Sequence, residues 1–404
     1  MKRNQELADF EVDPATGKAR IIDMPKTGDG PLAFAEQTQQ SGDQTLTDIL
    51  RARSISTRRP DMDDILASFG ALSTVHLALM GHGLSLSDQY WYRAPGSTER
   101  WEDINFFDNE WDPGFGAAVL RRDYTRLATC SPDVPDTATS GKLVKTWERN
   151  EDGIFLIKES TLPDGIDLQG VVLAADLCAA LFGEGRYIPV SIVARCGKLC
   201  SANPLMLASD EEFADGSRLC AMTGIQEKQA PHQNSVLQHE LCQTRIKAYT
   251  AIGIPDASAH VARMASLSCL TMLSNLHHKN FGVIRKVGSD TWRPAPIFDY
   301  DGSFGFLSAG KGIQYLCTDP SSTALLCARR FSYLDSTWDW SWYNPYALEG
   351  FEERIMEAFA PCQSLPPDFA RLTALIFAMQ RKYVDSVATA KPGDDTWAWK
   401  EGEL

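Results

Sequence analysis

The sequence predicts an α+β chain of two lobes, a mostly antiparallel small lobe followed by a helical large lobe. Three observations predict it. Residues 153–158 read as a strand with a β-branched and aromatic core, and with an apolar helix over 169–182 and a strand over 187–194 they set a strand–helix–strand order. From about residue 203 the pattern turns helical. Between 281 and 298, two extended runs flank a Gly-Ser turn, which reads as a β-hairpin with polar ends.

The 404 residues suit two or three domains. The segments expected are 1–123, an N-terminal arm with a helical and aromatic part; 124–202, the small lobe; and 203–404, the large lobe. Residues 1–45 are polar, with one strand over 19–24. Residues 45–83 carry apolar positions at helical spacing, which Gly81 and Gly83 end. Residues 85–91 (SLSDQYW) and 101–108 (WEDINFFD) are aromatic-rich and contain no nucleophile–base pair or ligand spacing, so they read as a surface segment pinned to a core by its rings. Residues 124–145 are loop-like and able to supply another strand. A helix over 235–252 stops at Gly253, and Asp256 is placed to cap the next, whose stripe runs through Val261, Met264, Leu267 and Leu270.

Composition narrows the function classes. An apolar fraction of 44% supports packed cores, and a net charge of −14 argues against direct nucleic-acid binding and against docking on an anionic membrane. The first residues, MKRNQELADFEVD, have no apolar stretch behind their basic pair, and the run 171–182 is interrupted by Asp176 and too short to span a bilayer. A cytoplasmic protein is expected. Its ten cysteines are scattered, and Cys196 and Cys200 lack the two-residue spacing of zinc or redox sites, so they read as free thiols.

The chemistry concentrates in residues 273–303, LSNLHHKNFGVIRKVGSDTWRPAPIFDYDGS. If Lys286 lies near Thr291, counting back along antiparallel strands puts Asn280 near Ile297 and Asp299 at the same open end. An amide oxygen and a carboxylate brought together suit Mg²⁺ bridging nucleotide phosphates, as in protein kinases, where a catalytic-loop Asp acts on the hydroxyl, an Asn five residues on binds metal and a later Asp binds metal. In a kinase small lobe a strand lysine meets the phosphates beneath a glycine turn. Here Lys158 ends a hydrophobic strand and Ser140-Gly141-Lys142 lies upstream of it.

These motifs resemble those of the HipA-like serine/threonine kinases, related in fold to phosphatidylinositol kinases. The resemblance runs from about residue 45 to 350 and rests on SLSDQYW (85–91), WEDINFFDN (101–109), NFGVI (280–284) and APIFD (295–299). It implies a bilobal protein-kinase-like fold that binds ATP and Mg²⁺ between two lobes and transfers the γ-phosphoryl group to a protein hydroxyl. It implies phosphate contact by Lys158, a phosphate loop at Ser140, Gly141 and Lys142, metal binding by Asn280 and Asp299, a catalytic-loop His277 and a hinge near 199–202. A helix-turn-helix antitoxin-like partner is also implied, with any DNA contact made indirectly. Two positions depart from the pattern. The family's loop has Asp two residues before the histidine, where this chain has Asn275, and a neutral amide cannot act as the base. The helix that would offer Glu to the strand lysine has no carboxylate in register, leaving Asp167 or Glu159 as substitutes. Asp301 is a remote candidate for help. The alternative is a pseudokinase that acts as a nucleotide-sensing interaction module.

Overall fold

A computed structural model of the chain describes residues 1–23, 42–162, 164–226, 235–308 and 333–390. The chain is α+β, with antiparallel strand pairs among its helices. It divides into two compact units: Met1–Glu159 with Val193–Phe213 and Lys286–Gly288, and Ser160–Ile192 with Ala214–Arg285 and Ser289–Leu404. The expected segments 1–123 and 124–202 are thus grouped differently, since 1–159 pack as one body and helix 166–182 belongs to the other.

In the first unit, β1 (Asp9–Val12) and β2 (Ala19–Asp23) form a hairpin. The expected strand over 19–24 is therefore present to Asp23, and Met24 lies outside the described residues. The helical stretch resolves into α1 (Gly42–Ala52), α2 (Met62–Phe69) and α3 (Thr74–Met80), with Gly81 as the C-cap of α3. After them come α4 (Trp101–Ile104), α5 (Pro113–Arg121) and α6 (Tyr124–Leu127).

The aromatic segment is internal scaffolding. Trp91, Trp101 and Phe106 are buried. Asp88 pairs with Arg53, whose guanidinium also donates to the Gly83 and Tyr90 carbonyls at 2.8 Å. The fully buried Gln89 donates to the Ser209 carbonyl at 2.8 Å and accepts from Arg3 at 2.9 Å. Asn105 closes its own turn, its Oδ1 accepting from the Phe107 and Asp108 amides at 3.0 Å. Polar groups buried with such partners avoid the desolvation penalty, which explains why this segment needs these residue types without any catalytic use for them.

A four-stranded sheet of order β3-β4-β6-β5 completes this part of the chain, with β3 (Lys145–Asn150), β4 (Gly153–Glu159), β5 (Ser191–Arg195) and β6 (Lys198–Pro204). The stretch 124–145 holds the short helix α6 and a 3-10 turn over Pro135–Ala138 and supplies no strand of its own; β3 begins only at its last residue, Lys145. The strand expected over 187–194 starts only at Ser191. Pro189 has no N–H for a ladder, and Tyr187 instead makes a parallel bridge to Ile297. Residues 199–202, expected at the hinge, form the body of β6, while the chain passes between units at Phe213–Ala214 within β7 (Glu211–Asp215). Strand therefore continues past residue 203, beyond where helix was expected to begin.

The second unit is built around α10 (Ala257–Thr271), which is buried on nearly every face. A helix with no polar face belongs in a core. Its hydroxyls are satisfied internally, Ser266 on the Ala262 carbonyl and Thr271 on the Leu267 carbonyl, each at 2.8 Å. Around it lie α7 (Ile166–Phe182), α8 (Gly216–Thr223), α9 (Ser235–Ala251), α11 (Phe351–Phe359) and α12 (Phe369–Thr389). Asp256 is the N-cap of α10, yet its side chain makes no capping bond; it accepts from Arg186 at 2.7 Å. The hairpin β8 (Gly282–Lys286) and β9 (Trp292–Pro294) follows α10, and β7, whose Ala214 and Asp215 belong to this unit, is the third strand of its sheet.

Candidate functional site

In the first unit, the β3–β4 ladder pairs Lys145 with Lys158, and β4–β6 pairs Lys158 with Ser201. Directly paired residues of neighbouring strands project to the same face, so two ammonium groups and a hydroxyl share one patch of sheet. Lys158 is only 6% exposed. Like charges directly opposite each other are destabilising, and an anion set against them reverses the sign. The turn before β3 adds to this patch. Gly141 has φ +103, and a Cβ there would sit 2.3 Å from Lys145 Nζ. The turn therefore runs close against the Lys145 ammonium, in a backbone conformation that favours glycine. Ser140 is half-buried and Lys142 is exposed in the same turn.

Lys145 was missed in the sequence. Its signal was available, because the Glu151-Asp152 turn makes residues whose numbers sum to that of the Asn150–Gly153 pair face each other. The proposed substitutes for an orienting carboxylate are both engaged elsewhere. Glu159, on the opposite face of β4, accepts from Arg122 at 2.9 Å and Lys198 at 2.8 Å. Asp167 accepts from Ser160 and from the Thr161 amide and hydroxyl at 2.7 and 2.6 Å.

In the second unit, the hairpin register pairs Val283 with Pro294, Ile284 with Arg293 and Arg285 with Trp292. This register agrees with the expected pairing of Lys286 with Thr291; the paired residues begin at Val283, while Asn280 lies before them in the turn His278–Asn280 and Ile297 bridges Tyr187. The Ala295 amide bonds the Gly282 carbonyl at 2.9 Å, which extends the ladder toward that end.

Asn280 is 5% exposed, and its Nδ2 donates to the Asn275 carbonyl at 2.8 Å. A carbonyl only accepts, so the atom it meets is the NH₂, and the amide oxygen is turned to the other side. Asn275 takes part through its backbone, leaving its own side chain, half-buried, out of this bond. His277 is the N-cap of the turn His278–Asn280; its Nδ1 accepts from the Lys279 amide at 3.3 Å, and its carbonyl accepts from the Asn280 amide at 2.8 Å. An Nδ1 used as acceptor leaves Nε2–H as a donor in the neutral ring. His277 therefore fits a hydrogen-bond donor and loop-shaping group better than a base. The displacement of water around it lowers its pKa, and the Asp299 carboxylate pulls in the opposite direction.

Asp299 has φ +62, an unusual backbone state for a residue with a side chain. Buried neighbours hold it there. The Tyr300 hydroxyl lies 2.9 Å from the Ile188 carbonyl and 2.8 Å from that of Ile297, and the Ile188 amide bonds the Ile297 carbonyl at 2.9 Å. Asn280 and Asp299 thus offer hard oxygen donors, the set that suits Mg²⁺. Among the described residues no group of three or more His, Cys, Asp or Glu could hold a metal ion. A Mg²⁺ that takes its other ligands from phosphates and water needs only one or two protein oxygens.

No protein-family model matches the chain, and no curated protein matches it. Among solved structures, the proinflammatory kinase CtkA of Helicobacter pylori is similar over 61% of this chain and 93% of its own, at 11% identity and a TM-score of 0.44. HipA of the Shewanella oneidensis MR-1 toxin–antitoxin system, in complex with HipB and its operator DNA, is similar over 95% of this chain and 97% of its own, at 11% identity and a TM-score of 0.47. Neither likeness assigns a role to any residue. No helix among the described residues is long and apolar enough to cross a membrane.

Proposed function

We propose that the chain is a HipA-like, protein-kinase-fold protein that binds ATP with Mg²⁺ and transfers the γ-phosphoryl group to a serine or threonine of a protein, with the transfer step impaired by Asn275. The observation that carries this reading is the Asn280 amide. Its nitrogen is committed to the Asn275 carbonyl, which leaves its oxygen as the candidate ligand, in the loop whose His277 is influenced by the Asp299 carboxylate. In this reading Asn280 and Asp299 hold the metal, which neutralises charge on the phosphates when bound. Lys158 and Lys145 contact phosphate oxygens beneath the Ser140-Gly141-Lys142 turn, and the Nε2–H of His277 orients the loop or its substrate. A small helix-turn-helix protein is the partner proposed for this chain, with any DNA contact running through that partner.

A second reading, a nucleotide-sensing pseudokinase, has its own support. Asn275 offers no carboxylate, and Glu159 and Asp167 are engaged by Arg122, Lys198, Ser160 and Thr161. These features bear on turnover and leave nucleotide binding intact.

Calorimetric titration of ATP with Mg²⁺ tests the site. Saturable binding is expected, and Asp299→Ala should weaken it by roughly 3 kcal/mol, about a hundredfold, since a charged partner is lost. A wild-type chain that shows no binding at millimolar ATP would overturn both readings.

A further inference from the structure

We infer that Arg245 and Tyr249, on one face of α9, are positioning residues that set the metal-bearing loop from behind. The inference rests on the nucleotide–metal reading above. The two residues lie four apart and therefore project from the same side of the helix. Arg245 is 6% exposed, and its Nη2 donates to the Leu276 carbonyl at 2.8 Å. Its guanidinium carbon lies 4.4 Å from the centroid of the Phe281 ring. Tyr249 is fully buried, and its hydroxyl donates to the Gly282 carbonyl at 3.2 Å. Its ring lies 6.4 Å from that of Phe281.

One helix face therefore holds the loop on both sides of Asn280, at Leu276 between Asn275 and His277, and at Phe281–Gly282 just beyond. Phe281 is pinned from α8 as well. The Gly216 amide donates to its carbonyl at 2.9 Å, and a Cβ on Gly216 would come within 2.3 Å of its ring. The bonds of Asn280 to the Asn275 and His277 carbonyls tie the loop to itself, and α9 ties it to the body of the unit.

The choice of arginine separates positioning from plain packing. A methionine fills similar space with no charge to desolvate, whereas burying a guanidinium is costly unless its donors are used. Here they serve a carbonyl that the loop presents, in a charge-assisted bond, and the guanidinium plane serves the ring. Neighbours that orient a metal ligand without touching the metal alter affinity strongly when removed.

The test uses the full chain and compares ATP affinity with Mg²⁺ and with EDTA, alongside thermal melting. Arg245→Met should shrink the metal-dependent gain about tenfold and leave the EDTA affinity unchanged. Arg245→Lys should restore part of it, since an ammonium still reaches a carbonyl but cannot lay a plane on Phe281. Tyr249→Phe should give a smaller loss. A lower melting temperature with an unchanged Mg²⁺/EDTA ratio would show a core residue only and overturn the inference; should Arg245→Met fail to fold, the same ratio in Arg245→Lys and Tyr249→Phe decides. If the wild-type chain shows no Mg²⁺-dependent gain, the site reading fails on its own. Amide hydrogen exchange at Asn280 then decides the clamp, with faster exchange in the Arg245 variants supporting it and an unchanged rate overturning it.

Discussion

The two units hold their candidate functional residues by different physics. In the first, Lys145, Lys158 and Ser201 sit on hydrogen-bonded strands, and the ladder alone dictates that they share a face. In the second, Asn275, His277 and Asn280 lie in a loop and Asp299 holds a positive φ, so their places depend on contacts with distant helices. A site on strands is positioned by backbone pairing that local sequence encodes. A site on a loop is positioned by side chains whose partners lie far along the chain. The contrast extends to buried titratable groups. In the first unit, burial raises the pKa of Asp136 from 3.8 to about 6; in the second, burial lowers that of His260 from 6.5 to about 3.

The largest effect expected concerns the loop. Asn275→Asp should raise phosphoryl transfer by about 10²–10⁴-fold, the usual worth of a positioned acid–base group. Autophosphorylation with labelled ATP measures it. Because Asn275 supports Asn280 through its backbone carbonyl, the change should leave melting and ATP affinity nearly as they were. No gain in rate would move the balance to the pseudokinase reading.

The next effect separates the units by pH. Asp136 is protonated more readily in the folded chain than in the unfolded one. Its contribution is full below about pH 4 and is lost as pH rises through about 6, so burial of the carboxylate weakens the first unit at neutral pH. Asp136→Asn should remove that slope and stabilise this unit at pH 7 by up to about 3 kcal/mol. His260 acts in the reverse sense. The folded state disfavours the imidazolium, so stability of the second unit is full above pH 6.5 and is lost as pH falls toward 3. Urea unfolding followed by probes in each unit should therefore show midpoints that move in opposite directions between pH 4 and 6.5, and parallel movement would break the contrast.

The smallest effect tests the strand-borne patch. Gly141→Ala places a side chain at φ +103 and pushes on the Lys145 terminus, which is flexible enough to yield. Stability should fall by about 1–2 kcal/mol, and ATP affinity should drop several-fold as the lysine is displaced. Affinity that survives intact would detach the turn from phosphate binding.

Much of this architecture was legible along the chain. The Gly-Ser turn set the hairpin register that pairs Val283–Arg285 with Trp292–Pro294. Strand β4 followed from its β-branched and aromatic core, helix α7 from its apolar run, and the end of helix α9 from Gly253. Other features were out of reach for identifiable reasons. Asp256 has the residue type and place of a cap, but Arg186, remote in sequence, captures its carboxylate. The strand over 187–194 lost its start because Pro189 cannot pair and Ile297 offered Tyr187 another partner. Asp88, Gln89 and Asn105 of SLSDQYW and WEDINFFD turned out to be buried bonding groups, while Glu102, Asp103 and Asp108 stay exposed.

The sequence by itself determined the alternation that aims Lys158 and Lys145 to one face, the hairpin that pairs Val283 with Pro294, and the neutral residue at position 275. These are consequences of backbone periods of a few residues, which neighbours in the chain suffice to specify. Only the tertiary structure decided that the Asn280 amide turns its nitrogen to Asn275 and that Arg245, 31 residues before Leu276, takes that residue's carbonyl. A buried polar group must find whatever partner the packed fold leaves within reach, and which one that is depends on how the helices come together.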